Sequence, residues 1–435
     1  MSTAQLLDRP LVRLEDALAR MLHGVEPLPV EQLPLVAAQG HVLAEAIDSR
    51  LTLPPWDNSA MDGFAVRATD VADATAERPV RLEVRGEAAA GRRADMAVEP
   101  GTTLRILTGA PLPAGADAVV PVEDTDAEPG SAMLPSAVEV RHAAAPGSHV
   151  RGAGSDLVAG RRLLDRGIVL GAAELAVAAA GGHGMLPVHR RPRVAVLATG
   201  DELVPAGEPL SEAQIPDSNS IGLVAQARQC GAEAASLGIS GDELSGLLDR
   251  LREGIAQAEV IVVSGGVSVG ARDVVKDAFA ELGTLELWRV AVQPGKPLAF
   301  ARAPRAGDRP PALLFGLPGN PVSSFVTFEL FVRPVLRRLA GQPDPTARET
   351  LNATLSEPVT KSPGRRAFLR VRLRLDNGEW RASLAGGQAS HVLSALAAAD
   401  GLAVVPEEVD GLPAGARVEV ILLRRTADLM ARRTG

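Results

Sequence analysis

Cysteine is almost absent from this chain of 435 residues, where Cys230 stands alone. That excludes an intramolecular disulfide and any metal site built from several thiolates, and leaves Cys230 to helix packing. The seven histidines are scattered, with no pair at metal-ligand spacing, which argues against a His-based zinc site. No Ser-His-Asp order can be defended either. Basic charge is not in excess: the formal net charge is −8. The chain therefore offers no general surface for nucleic acid or anionic membrane, and an anionic substrate needs a locally basic pocket. Long apolar runs are missing too. The most apolar stretch, Leu170 to Ala180, is alanine-rich and too short to span a bilayer. The N-terminus is polar, with Asp8 and Arg9 early, so no signal peptide is expected and a cytoplasmic protein follows.

What is present is enough for several cores. Hydrophobic residues make up 46% of the chain, while Gly 43 and Pro 33 imply many turns. The length suggests about three structural units. One stretch organises the rest: Glu259 to Asp273, reading EVIVVSGGVSVGARD. Val260 to Val263 suits a buried parallel strand. Ser264, Gly265, Gly266, Ser268 and Gly270 then form a turn that can present backbone N–H groups to an anion. A helix is expected after Arg272, so the turn would sit at a helix N-terminus, where phosphate is favoured. Asp273 is an acid beside that anion site, which implies a cation between them. Plain turn chemistry is the competing reading of the same residues.

Taken in order, Leu14 to Leu22 has helical spacing. Leu53 to Val66 follows as LPPWDNSAMDGFAV, a polar turn with Asp62 between Met61 and Phe64. An Asx-type turn is its structural alternative. Val80 to about Val150 is short and β-like, and contains a rigid loop with Thr108 and Asp117. Arg151 to Gly182 returns to a helical bias, so the β region is expected to be inserted into an N-terminal unit. After Arg190-Arg191-Pro192 the pattern alternates strand and helix. Asp217-Ser-Asn-Ser220 can cap a helix through Asp217 or Ser218. Leu244, Leu247, Leu248, Leu251 and Ile255 recur on one face of another. Asn320 to Leu339 reads as a closing helix. Such alternation predicts a mainly parallel sheet with helices on both faces and ligands beyond its carboxyl edge. Gly341 to Leu423 is β-rich, with a hairpin turn at Asp376-Asn377-Gly378. The fold class expected is a multidomain α/β protein. It has a central three-layer α/β domain over 190–340, with an N-terminal domain over 1–50 and 151–189. A β-rich domain over 51–150 is inserted in the latter, and a small C-terminal β-barrel covers 341–425.

Four stretches belong together: Thr199-Gly-Asp-Glu202, Ser264 to Asp273, Gln293-Pro-Gly-Lys-Pro297 and Gly316-Leu-Pro-Gly-Asn-Pro321. Clustered acids, glycine-exposed N–H groups and one lysine suggest a Mg²⁺–phosphate site. At this point the sequence resembles the molybdopterin molybdenumtransferases, a family that includes the enzymatic C-terminal domain of gephyrin. The likeness rests on DNSAMDGFAV at 57–66, LTGAPLPAGADAVVPVE at 107–123, ATGDEL at 198–203, DSNS at 217–220, SGGVSVGARD at 264–273, QPGKPLAF at 293–300 and GLPGNPVSS at 316–324. Seven motifs in order, over nearly the whole chain, are specific. The SGGVSVG-type loop alone would also fit the related molybdopterin adenylyltransferases.

The resemblance implies the last step of molybdenum cofactor synthesis: molybdate enters adenylylated molybdopterin and AMP is released, with Mg²⁺ as cofactor. It implies a homodimer whose active site joins the central domain of one subunit to the inserted β domain of the other. A molybdopterin adenylyltransferase and apo-molybdoenzymes are its expected partners. Among the acids Asp201, Glu202, Asp242 and Asp273, the resemblance assigns Glu202 and Asp273 to Mg²⁺ or to the adenylate phosphate. Asp242 has a helix-capping alternative. Asp217 and the loop from Ser264 to Gly270 bind the nucleotide, and Pro318, Gly319, Asn320 and Pro321 shape a rigid wall. Asp62 and Thr108 complete the site. Molybdate, a tetrahedral dianion, needs donors and positive charge; Lys296, Arg365, Arg366 and Ser390 are the candidates. Arg365 and Arg366 read equally as solvated turn residues, and Ser390 as an N-cap for a helix from His391. Two departures stand out. Gln293 replaces a lysine common in relatives, and Phe64 replaces a common tyrosine in a chain with no tyrosine at all. A carrier or scaffold that binds the cofactor without turnover is the alternative function.

Overall fold

The computed structural model describes residues 11–266 and 274–424. They fall into two compact units. The larger runs up to Glu31 and takes in Gly40–Ala44 and everything from Pro187 onward; the smaller comprises Gln32–Gln39 and Glu45–Leu186. Among the described residues no helix is long and apolar enough to cross a membrane.

The larger unit is built on a six-stranded sheet. Its order is Glu233–Ser240, Arg193–Thr199, Val260–Ser264, Ala312–Leu317, Pro297–Ala303, Thr284–Arg289. The first four strands are parallel neighbours, and Pro297–Ala303 runs antiparallel to both of its own. The mainly parallel sheet expected from the alternation is present. Burial on both faces explains why the strands read as continuous apolar runs rather than alternating ones. Val194, Val196, Val260, Val262 and Phe315 pack on one side with Leu223, Ala227, Val322 and Val326. Ala195, Leu197, Ile261, Val263 and Leu314 pack on the other with Leu247, Leu251, Val275 and Phe279. Each of the valine, leucine, isoleucine and phenylalanine side chains among these contributes about 1.5–3 kcal/mol when taken from water. Leu244, expected on the same helical stripe, is instead 38% exposed. It opens the Leu244–Gln257 helix, before that helix reaches the sheet.

The closing helix is not uniform. Pro321–Thr327 is α-helical, Phe328–Val332 is π-helical, and Arg333–Leu339 is α-helical again. Pro334 has no N–H for the carbonyl four residues earlier, so a regular ladder cannot run through this stretch. The C-terminal region is a closed five-stranded barrel. Arg366–Asp376, Glu379–Leu384, Thr350–Leu355, Arg417–Leu422 and Gly401–Val405 pair in that order, and the last returns to the first. The short strand Val292–Gln293 adds in parallel beside Arg366 and Ala367. That pairing brings the Gln293–Pro297 loop against the barrel.

The smaller unit holds a five-stranded sheet ordered Ala118–Pro121, Gly63–Val66, Thr102–Ile106, Val80–Ala88, Ala137–Val140. Its α-helix is Ala172–Ala180, with short 3-10 turns at Ala68–Asp70 and Val122–Asp124. The helical bias expected from Arg151 is therefore overturned for most of its length. Glycines at 152, 154, 160 and 167 break it, and Val150–Arg151 and Arg162–Leu164 pair as short strands instead.

Candidate functional site

The strand order reverses between Arg193–Thr199 and Val260–Ser264, since the chain leaves the first for Glu233–Ser240 and then crosses back. In a parallel sheet that reversal opens a crevice at the carboxyl edge. The loops after both strands meet there. Gly265 has φ of 102°, and a Cβ on it would lie 2.3 Å from the Thr199 carbonyl oxygen. Only glycine permits that approach. The Gly265 N–H donates to the Leu317 carbonyl at 3.1 Å, and Gly319 lies with its would-be Cβ 3.6 Å from the Gly265 Cα. Ser264 is 2% exposed, and its Oγ accepts from Asn219 Nδ2 at 2.8 Å. The same Nδ2 donates to the Gly319 carbonyl at 2.7 Å. One carboxamide thus ties the helix start at Asn219 to both turns. Ser268, Gly270 and Asp273 lie outside the described residues.

The acids surround this crevice. Asp201 Oδ1 accepts the Asp242 N–H at 3.2 Å, and Asp242 Oδ1 accepts Thr199 Oγ1 at 3.3 Å. The helix after Asp242 starts at Leu244, and no side chain caps it, so the carboxylate of Asp242 turns to Thr199 instead of the helix. Gly200 has φ of 151°, and a Cβ there would meet Glu202 Oε2 at 2.5 Å. Asp201, Glu202 and Asp242 are all exposed. Asp217 is buried, and its Oδ1 accepts the Ser220 N–H at 3.0 Å. Of the two possible caps it is Asp217, not Ser218, that serves the helix. Among the described residues no group of three or more His, Cys, Asp or Glu is arranged to hold a metal ion. The donor set still fits Mg²⁺, which takes one or two carboxylates and completes its shell with water and substrate phosphate.

A cavity of about 560 Å³ opens between the Gln293–Pro297 loop and the barrel. Lys296, Arg365 and Ser390 all line it, as do Gln293, Ser323 and Arg370. Ser390 does not cap a helix: the nearby one begins at Leu393 with no side-chain cap, and the Ser390 carbonyl accepts the Val322 N–H at 3.1 Å. Arg366 is not brought to this cavity. Its guanidinium is engaged by Glu407 at 2.8 and 3.1 Å and by Glu15 at 2.6 Å. Pro318 is buried, while Gly319 and Asn320 are exposed, and Pro321 opens the following helix.

Sequence reasoning missed Arg370. It is 0% exposed and lines the cavity floor. Nη2 donates to the carbonyls of Gly387 at 2.7 Å and Ala389 at 3.2 Å, and Nε has no hydrogen-bond partner among the described residues. No carboxylate among the described residues pairs with it. Burial accordingly pulls the guanidinium below the ordinary arginine value. A buried cation without a counter-charge is costly, so its place beside two other cations points to an anion. Asn219 was also missed as a tie between loops, although it stands inside the Asp217-Ser-Asn-Ser220 cap sequence.

In the smaller unit, Asp62 Oδ1 accepts both the Thr108 N–H at 2.6 Å and its Oγ at 2.8 Å. These bonds, the backbone one first, hold the Asp62 carboxyl below the usual carboxylate range. Asp62 borders a second cavity, of about 510 Å³. Phe64 is 1% exposed within the core, so a hydroxyl there would have needed a buried partner. Cys230 ends the Asn219–Gln229 helix, and burial pushes its thiol up to about 12, which leaves it unreactive.

Three family models match the chain. They are the MoeA N-terminal region (domain I and II) over residues 12–182, a probable molybdopterin binding domain over 195–338, and the MoeA C-terminal region (domain IV) over 352–423. Among similar proteins is molybdopterin molybdenumtransferase 2 of Mycobacterium tuberculosis, 42% identical over 411 residues, covering 92% of this chain and 96% of that one. The molybdopterin molybdenumtransferase of Nostoc is 39% identical over 396 residues, covering 90% and 88%. A crystal structure of the molybdopterin biosynthesis moeA protein from Pyrococcus horikosii superimposes with a TM-score of 0.78 at 32% identity, covering 96% of this chain and all of that one.

Proposed function

Because the chain belongs to the molybdopterin molybdenumtransferase family, we propose that it inserts molybdate into adenylylated molybdopterin with release of AMP. The observation that carries this reading is the cavity holding Lys296, Arg365 and Arg370 with no carboxylate among its lining residues. A tetrahedral dianion is the ligand that such a donor-rich, cationic site accepts. The glycine crevice supports the other half of the reaction. Ser264, Gly265 and Gly266 offer a turn where nucleotide phosphate can be received, and Gly319 with Asn320 forms its wall.

The residues divide the work. Lys296, Arg365, Arg370 and Ser390 bind and orient molybdate. Asp201 and Asp242 fix each other and Thr199, which positions the loop carrying Glu202. Glu202 and Asp273 would hold Mg²⁺, which supplies neutralisation of phosphate charge when bound. Asp62 and Thr108 act on the site of a second copy in a homodimer, a role that rests on the family resemblance. The reaction takes place in the cytoplasm, fed by a molybdopterin adenylyltransferase and drained by apo-molybdoenzymes.

The test is a direct assay of purified protein with adenylylated molybdopterin, Mg²⁺ and low molybdate, following AMP and transferable cofactor together. Both should appear and both should depend on molybdate. Tight nucleotide binding with neither product would replace the transferase by a carrier.

A further inference from the structure

We propose that Asn219 is a positioning residue that fixes the polarity of the Ser264 hydroxyl, so that its proton is left for a phosphate oxygen of the bound nucleotide; this rests on the nucleotide reading of the glycine crevice given above. The assignment follows from donor and acceptor chemistry. Asn219 Nδ2 stands 2.7 Å from the Gly319 carbonyl oxygen, which can only accept. Turning the amide over would set oxygen against oxygen, so the nitrogen is the atom that faces Gly319. The same Nδ2 lies 2.8 Å from Ser264 Oγ. An amide nitrogen donates and does not accept, so the hydroxyl is the acceptor in that contact. Its own hydrogen must point elsewhere.

Ser264 is 2% exposed, and its Oγ makes no second hydrogen bond among the described residues. A buried donor without an acceptor is costly, and a ligand oxygen entering the crevice satisfies it. The position of the hydroxyl supports this direction. Ser264 ends the central Val260–Ser264 strand, and the positive-φ turn of Gly265 and Gly266 follows at once. Asn219 opens the Asn219–Gln229 helix, so the group that orients the hydroxyl is carried by a different element from the turn that receives the phosphate. An aspartate at 219 has nearly the same shape and the opposite chemistry. Its carboxylate only accepts, so Ser264 would turn its proton to residue 219 and meet the ligand with lone pairs. An alanine at 219 removes the tie but leaves the hydroxyl able to rotate toward the ligand. A hydrogen bond from a neutral donor to a charged oxygen is worth roughly 10- to 150-fold in affinity.

The test is a double-mutant cycle read by isothermal titration of the full-length protein with AMP and Mg²⁺, slightly above neutral pH. Its members are wild type, Ser264→Ala, Asn219→Asp and the variant carrying both, each checked for folding by circular dichroism. In the wild-type background Ser264→Ala should weaken AMP by roughly 10- to 150-fold. In the Asn219→Asp background the same change should cost less than about threefold, because the proton has already been turned away. Asn219→Asp alone should weaken AMP by at least about tenfold, and Asn219→Ala by less. Molybdate affinity, followed by equilibrium dialysis, should stay within about threefold of wild type throughout, since neither residue lines the cavity beside the barrel. An equal cost of Ser264→Ala in both backgrounds overturns the proposal, because Asn219→Asp would then act through its charge alone. A loss of molybdate together with AMP in folded Asn219→Asp also overturns it, and makes Asn219 a structural tie only. If Asn219→Asp does not fold, Asn219→Ala takes its place in the cycle: Ser264→Ala should then cost less than in wild type, and an equal cost overturns the proposal. AMP bound by no form, in a protein that also releases no AMP in the assay above, would remove the nucleotide reading itself; AMP bound without these dependences removes only the role of Asn219.

Discussion

Replacing Arg370 with glutamine tests the anion reading most directly. The guanidinium is fully buried, donates to two carbonyls and faces no carboxylate among the described residues. Two effects are therefore separable. In the absence of ligand, the substitution removes an uncompensated cation, which stabilises, and weakens two carbonyl bonds, which destabilises by about 1 kcal/mol each. These oppose, and the midpoint of unfolding should move by no more than about 1–2 kcal/mol equivalent. With molybdate present the balance is different. A hydrogen bond to a charged group is worth about 1.5–3 kcal/mol, so affinity should fall by roughly 10- to 150-fold. Isothermal titration with molybdate gives that number. Thermal unfolding gives the same answer independently. Molybdate at a hundred times its dissociation constant should stabilise wild type by about 2.7 kcal/mol and the variant by far less at the same concentration. A variant that binds molybdate within threefold of wild type would refute the argument. Large destabilisation without ligand would mean that Arg370 belongs to the barrel core alone.

Other outcomes follow from particular contacts. Gly265→Ala should abolish nucleotide binding and destabilise by about 1–3 kcal/mol, because its Cβ would stand 2.3 Å from the Thr199 carbonyl at a φ of 102°; nucleotide titration checks it. Asp273→Asn should lose metal insertion while retaining nucleotide binding, and unchanged activity would remove Asp273 from the mechanism. Glu259 is 6% exposed and accepts from Arg190 at 3.1 Å, Arg193 at 3.0 Å and Arg305 at 3.3 Å. Burial raises its carboxyl, but the arginines outweigh that and hold it at about 2, against an ordinary 4.5. Its contribution is therefore complete above about pH 4.5 and lost as pH falls toward 2, and Glu259→Gln should flatten that part of the denaturation profile. The depressed Asp62 carboxyl has the same sign: its bonds to Thr108 persist at neutral pH and fail only in acid, so a neutral-pH activity change in Asp62→Asn reports chemistry rather than titration.

The central sheet was legible because its signal is local. Val260 to Val263 is apolar on both faces, and the glycines after it follow at once, so strand and turn could be read together. The placement of the acids at 201, 202 and 242 was legible for the same reason: each follows closely on the end of a strand, Thr199 or Ser240. Arg370 was not. It lies in FLRVRLRL, where alternation places 370, 372 and 374 on one face, and Arg372 and Arg374 are indeed exposed. What buries Arg370 is the Gly386–Ser390 segment, including Gln388, whose Oε1 accepts the Arg370 N–H at 2.9 Å. That cover comes from a distant turn, and no period in the strand announces it. Arg366 fails in the opposite sense. It looks like its neighbour Arg365, yet Glu407 and Glu15, at 41 and 351 positions away, take its charge.

An acidic chain can still hold an anion, because the field at a site is set by near groups. Carboxylates more than about 10 Å away across water are screened at ordinary ionic strength. Inside the cavity three donor-only cations stand together, while the nearby Glu407 is consumed by Arg366 and Arg13. Arg366 therefore contributes by sequestering an acid, even though it does not reach the cavity. Arg366→Ala should weaken molybdate binding by releasing Glu407, and the double variant Arg366→Ala with Glu407→Gln should restore it. A loss in the single variant that the double variant does not recover would show instead that Arg366 acts on the anion or on the barrel directly.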